Sequence, residues 1–125
     1  MSRRATLEKT FTQADFDAFA ALSGDDNPIH VDPDFSARTR FGRTVAHGAL
    51  LCSVLRGLVE ELVPGGRQIR QATMYPAPSP AGEALRFEAE TTSETAGRIT
   101  LALTVTRLAD GEVTCRGETE VAPCR

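Results

Sequence analysis

Residues 45–62 read Val45-Ala46-His47-Gly48-Ala49-Leu50-Leu51-Cys52-Ser53-Val54-Leu55-Arg56-Gly57-Leu58-Val59-Glu60-Glu61-Leu62, and their periodicity decides the architecture. Leu50, Leu51, Val54, Leu55, Leu58, Val59 and Leu62 follow the i, i+1, i+4, i+5 spacing that lays one wide apolar face along a helix from about Ala46. Pro64-Gly65-Gly66 stops it. His47, Arg56, Glu60 and Glu61 interrupt the apolar run, so the stretch is too polar to span a bilayer. A helix with so broad an apolar face needs a sheet to cover it.

The sequence downstream supplies that sheet. Leu85, Phe87 and Ala89 alternate with polar residues, as do Ile99, Leu101, Leu103 and Val105, and Val113, Cys115 and Val121 follow with small residues between them. Gly97 and Asp110-Gly111 mark the turns between these strands. Further strands are expected near Thr6 to Thr10 and Gln68 to Tyr75, giving an α+β domain over residues 1–125 in which an antiparallel sheet holds one long helix. At this length no second domain fits.

Upstream of the long helix the order is helix, loop, short helix. Thr12 is placed as an N-cap with Asp15 in the first turn, and Phe11 can staple against Phe16, so a helix is expected from about Gln13 to Leu22 with Phe16, Phe19 and Ala20 on one stripe. Gly24 can end it in the left-handed conformation. Asp32-Pro33-Asp34 reads as a second N-cap with proline at the first helical position, opening a short helix through about Arg40 before Gly42 breaks it.

Between those helices lies Ser23-Gly24-Asp25-Asp26-Asn27-Pro28-Ile29-His30-Val31-Asp32. An acid and an imidazole five positions apart cannot share one helix face, but a proline-stiffened turn can bring Asp25 and His30 to one point, where they could hold a water for acid/base chemistry. Taken alone, the same residues also suit an ordinary turn with a packed or solvent-facing histidine. Asn27 either orients the site or forms an Asx-turn, and Asp26 and Asp32 read as turn and cap residues. Cys52, one turn into the long helix, invites a Cys–His nucleophile reading, for which a buried free cysteine is the simpler explanation.

Composition narrows the partners. With 14 basic against 17 acidic residues the net charge is −3, which gives no electrostatic case for nucleic acid or an anionic membrane surface. Cys52, Cys115 and Cys124 are odd in number and form no C-x-x-C pair, so neither a disulfide framework nor a zinc ribbon is expected and a reducing, cytoplasmic setting is. The first residues are basic but no apolar run follows them, unlike a secretory signal. Two histidines and scattered acids give no metal-ligand spacing, so no metal is expected.

The S-G-D-x-N-P-I-H-x-D run of residues 23–32, the His47-Gly48 helix start and the later Tyr75-Pro76-Ala77-Pro78-Ser79-Pro80-Ala81-Gly82-Glu83 resemble the MaoC-like hydratases and dehydratases, specifically the short (R)-specific enoyl-CoA hydratases. The resemblance implies a hot-dog fold, in which a curled antiparallel sheet wraps a central helix, and a homodimer as the minimal assembly. It implies that Asp25 and His30 hold the water that adds across the 2,3 double bond of an enoyl thioester, and that the backbone N–H of Gly48 stabilises charge on the thioester oxygen. His47 is expected to cap or orient. Arg38, Arg40 and Arg43 could dock the phosphates of CoA or an acidic acyl carrier protein, or form a solvated charged face. No cofactor is implied beyond the CoA or phosphopantetheine that carries the acyl group. The alternatives are a 3-hydroxyacyl-carrier-protein dehydratase, a hot-dog thioesterase and a noncatalytic partner subunit. Ala49 after the His-Gly pair and the proline-rich 76–80 run depart from the family pattern and bear on substrate fit.

Overall fold

The computed structural model describes residues 2–123. Cys124 lies outside them. The elements run β1 (Arg4–Thr10), α1 (Gln13–Ser23), α2 (Pro28–Val31), α3 (Pro33–Ala37), α4 (Gly48–Leu62), β2 (Arg67–Met74), β3 (Ala84–Thr95), β4 (Arg98–Arg107) and β5 (Val113–Ala122). The five strands form one antiparallel sheet in the order β1-β3-β4-β5-β2, so the strand after the long helix crosses to the far edge and the chain returns to pair β3 with β1. This is the hot-dog arrangement that the family resemblance implies, and it holds the α+β layout of one long helix against an antiparallel sheet that the periodicity predicts. Among the described residues no helix is long and apolar enough to cross a membrane.

The core sits between α4 and the concave face of the sheet. Leu51, Leu55, Leu58 and Val59 of α4 meet Leu85, Phe87 and Ala89 of β3 and Leu101, Leu103 and Val105 of β4, all buried. Burial alternates strictly along β4, so one face of that strand is core and the other faces outward. β2 has almost no buried residue and presents Ile69 and Met74 to solvent at one edge of the sheet.

The start of α1 matches its sequence signature. Thr12 and Asp15 form a reciprocal capping box, the Phe11 and Phe16 rings lie 6.3 Å apart, and Gly24 closes the helix at φ 82° with its N–H donating to Ala20. One expectation needs correction. The helix expected from Asp32 to about Arg40 ends at Ala37, because the Arg38 and Thr39 N–H groups bond three residues back and turn the chain toward Gly42. Asp110-Gly111 lies in the turn between β4 and β5, as expected, in a loop closed by Arg107 N donating to Glu112 O, with Gly111 at φ 74°. In β5 the register with β4 shifts between Val105 and Thr106, so Thr114 and Cys115 are both buried where simple alternation would bury one.

Candidate active site

The segment between Gly24 and Gly48 makes one wall of an open cavity of about 630 Å³, and residues 75–80 make the other. Local rules place its first part. After the left-handed turn at Gly24, Asn27 caps α2 by accepting from Ile29 N at 3.2 Å, and Pro28 occupies the first helical turn. His30 is thereby turned inward near the end of that short helix, where it is almost wholly buried. Two backbone ties hold the segment to the strand-like stretch before α4: Val45 N donates to Ile29 O at 3.0 Å, and His30 Nδ1 lies 2.8 Å from Val45 O.

That second contact fixes the tautomer. A carbonyl oxygen can only accept, so Nδ1 carries the proton, and Nε2 of the neutral ring is left as an acceptor. Nε2 faces Asp25 Oδ2 at 3.8 Å, while Oδ1 of the same carboxylate accepts from Asn27 N at 3.4 Å. His30 lines the cavity, whereas the Asp25 side chain, 56% exposed, is not among the lining residues and meets His30 from the solvent side. A carboxylate and a lone-pair nitrogen held this far apart offer two acceptors to the two hydrogens of one water.

His47 lies behind this pair. Its ring stacks on that of His30 with centroids 3.8 Å apart and planes 21° off parallel, and its Nε2 donates to the backbone carbonyl of Asp25 at 2.9 Å. It occupies the N-cap position of α4 but makes no side-chain cap bond. Nδ1 of His47 is buried without a partner. Asp25, His30 and His47 have ligand-type atoms within 4.8 Å of one another. Imidazole lone pairs lie in the ring plane, so an ion in the plane of one stacked ring sits over the face of the other, and the three do not converge as ligands.

Gly48 opens α4, and its N–H is one of the orphan donors at the helix's positive end. It lines the cavity. Of the three arginines, Arg40 lines the cavity and lies over the Phe41 ring, Arg43 is ion-paired with Glu83, and Arg38 lies over Phe35. Asn27 uses its side-chain oxygen on the α2 cap, the Asx-type alternative. Cys52 contacts neither histidine: its Sγ lies 3.1 Å from Tyr75 Oη and accepts from Gln71 Nε2 at 3.4 Å. Hydrogen bonds from Cys115, Tyr75, Thr73 and Gln71 pull the Cys52 thiol down to about 5, while burial pushes the Tyr75 phenol up to about 12. Cys52 and Cys115 are free thiols brought side by side by the fold.

Several residues that build the site escaped sequence reasoning. Gln13 donates to His30 O at 2.9 Å and accepts from Thr44 Oγ1 at 2.6 Å, tying α1 to both sides of the segment between Gly24 and Gly48; a glutamine at the start of a helix carries no signal of this. Thr114 is turned into the cavity by the β5 irregularity. Ser79 lines the cavity with its buried hydroxyl unpartnered. Arg107 donates to Pro78 O at 2.8 Å and pairs with Asp110 at 2.6 Å, so the β4–β5 loop fixes the proline-rich wall. Only the Asp-Gly turn signal hinted at that loop.

Comparison with known proteins agrees with this architecture. The chain is 40% identical over 95 residues to an (R)-specific enoyl-CoA hydratase of Aeromonas caviae, a match covering 74% of this chain and 71% of that protein. It is 30% identical to an (R)-specific enoyl-CoA hydratase of Rhodospirillum rubrum over 97% of this chain and 86% of the relative. The solved structure of the A. caviae (R)-hydratase involved in PHA biosynthesis superposes with a TM-score of 0.92 at 33% identity, covering 98% of this chain and 96% of the other. The MaoC like domain model matches residues 1–113, and the chain belongs to that family.

Proposed function

We propose that this protein is a hydro-lyase that adds water to trans-2-enoyl-CoA to give (R)-3-hydroxyacyl-CoA and runs the reverse dehydration. The observation that carries the reading is the fixed His30 tautomer beside Asp25: two acceptors, one ring nitrogen and one carboxylate, 3.8 Å apart at the cavity. A water donating a hydrogen to each turns its lone pair toward a substrate carbon. As that oxygen attacks Cβ, one acceptor takes a proton and the pair returns one to Cα. Both acceptors serve one water, so the transfers are described for the pair. Charge that builds on the thioester oxygen meets the Gly48 N–H at the positive end of α4.

His47 positions the pair, through its stack on His30 and its bond to the Asp25 carbonyl. Arg40 is the arginine suited to the phosphates of the carrier. The stacked imidazoles misdirect their lone pairs for ligation, which supports a reaction without metal, and no cofactor is invoked beyond the carrier of the acyl group. The edge strand β2, with Ile69 and Met74 exposed, fits pairing with its own copy into a homodimer. The free thiols suit a reducing cytoplasm.

The test is hydration of crotonyl-CoA, followed by loss of the conjugated chromophore. Asp25→Asn keeps the shape of the site but cannot accept a proton, so turnover should fall by about 10² to 10⁴-fold. Asp34→Asn, on the exposed side of α3, should leave it unchanged. Wild-type-like turnover by Asp25→Asn, or release of free CoA thiol in place of hydration, would refute the reading.

A further inference from the structure

Tyr75 is the only tyrosine in the chain and follows the last residue of β2. Its ring leans across the start of α4. A methyl group built on Gly48 would lie 2.6 Å from Tyr75 Cζ and 2.9 Å from Oη, so the phenol tip rests against the bare Cα of that glycine. The tip is anchored from two elements, by Cys52 Sγ at 3.1 Å one turn along α4 and by Thr73 Oγ1 at 3.5 Å on β2, and Gln71 in turn holds the sulfur. A ring tied at its far end cannot swing aside without breaking those contacts.

We propose that Tyr75 is a specificity-determining residue that excludes a substituent at Cα of the enoyl group. The inference rests on the hydratase reading, since it takes Gly48 N–H as the donor to the thioester oxygen. A carbonyl seated on that N–H brings C1 and Cα alongside the phenol tip that covers the Gly48 Cα. Tyr75 Cζ and Oη are the nearest protein atoms on that side. An unbranched enoyl chain presents only a hydrogen at Cα and passes beside the ring, which lines the cavity. A methyl at Cα must share the space the phenol tip already fills, and close-packed side chains yield such space at a cost.

The experiment compares kcat/KM for crotonyl-CoA and 2-methylcrotonyl-CoA in the wild type, Tyr75→Ala and Tyr75→Phe. The methyl group also lowers the intrinsic reactivity of the double bond, but by the same factor in every variant, so the change in ratio isolates the wall. Removing the ring should raise the relative use of the methylated substrate by about 10-fold or more, the scale of discrimination one methyl group supports in a fitted pocket. Tyr75→Phe keeps the ring and should keep most of the discrimination. An unchanged ratio in Tyr75→Ala overturns the proposal, as does a Phe variant as permissive as Ala. Should Tyr75→Ala melt early, Tyr75→Leu offers the same comparison in a better-filled site. Loss of both turnovers in folded Ala and Leu variants would also refute it, since removing a wall does not stop the smaller substrate. A wild type that hydrates neither thioester would instead sink the hydratase assignment.

Discussion

The two halves of this molecule are held by different kinds of force. The sheet and α4 are joined by undirected apolar burial, with Leu55, Phe87, Leu101 and Val105 essentially without solvent contact. The segment from Gly24 to Gly48 contributes few large apolar side chains to the core and is held by directed bonds: Gln13 to His30 and Thr44, Val45 to Ile29 and His30, and His47 to Asp25. The first kind of contact tolerates rearrangement and sets stability. The second depends on individual atoms and sets where the reactive groups point.

Substitutions in each half should therefore separate rate from stability. After Asp25→Asn, the largest effect on rate is expected at Gly48. Gly48→Ala keeps the N–H but crowds the thioester oxygen's approach to it, and should lower kcat by about 10² to 10³-fold, the scale of losing one oxyanion donor elsewhere. The melt should fall only modestly, because the added methyl must displace the anchored Tyr75 tip while alanine, the better helix former by about 1 kcal/mol, offsets part of that cost. Since the added methyl meets that ring, the double variant with Tyr75→Ala decides the cause. It should stay slow, because the methyl itself occupies the approach to the N–H; recovery would place the fault in a displaced ring.

Leu55→Ala should do the opposite. It removes a side chain 1% exposed from the middle of the core and should cost about 2–5 kcal/mol by chemical denaturation. Turnover per folded molecule should stay near wild type, and a large drop in kcat would mean the two halves are more tightly coupled than their contacts indicate. The smallest effect is expected where sequence and structure agree most simply. Thr12→Ala deletes one arm of the capping box and should cost about 1 kcal/mol, with crotonyl-CoA hydration unaffected.

The same contrast explains what could be read from the sequence. Periodicity is the signature of burial, so α4 and the alternating strands β3 and β4 were legible within a few residues, as were the Thr12 cap and the Gly24 turn. Asp25 and His30 were legible as a candidate pair only through a motif, because nothing in the period of the chain shows that the two side chains meet. The supporting contacts were not legible. Gln13 reaches His30 across 17 positions, Arg107 reaches Pro78 across 29, and the Thr114 irregularity depends on how two strands slip past each other. Such bonds follow from the packed fold and have no local composition of their own. The misjudged end of α3 has a related cause, since residues 38–41 have helix-compatible side chains and tertiary demands on the turn toward Gly42 prevail.

The bond from His30 Nδ1 to Val45 O has one more consequence. It pins the ring against flipping, so the same nitrogen faces Asp25 in both directions of the proposed reaction. Adding water to a double bond consumes no net proton: of the two hydrogens that arrive with the oxygen, one remains on it and one ends on carbon. A pair that begins each turnover with both acceptors empty therefore ends it the same way. Neither exchange with bulk solvent nor a turn of the imidazole is needed before the next substrate, whichever way the reaction runs.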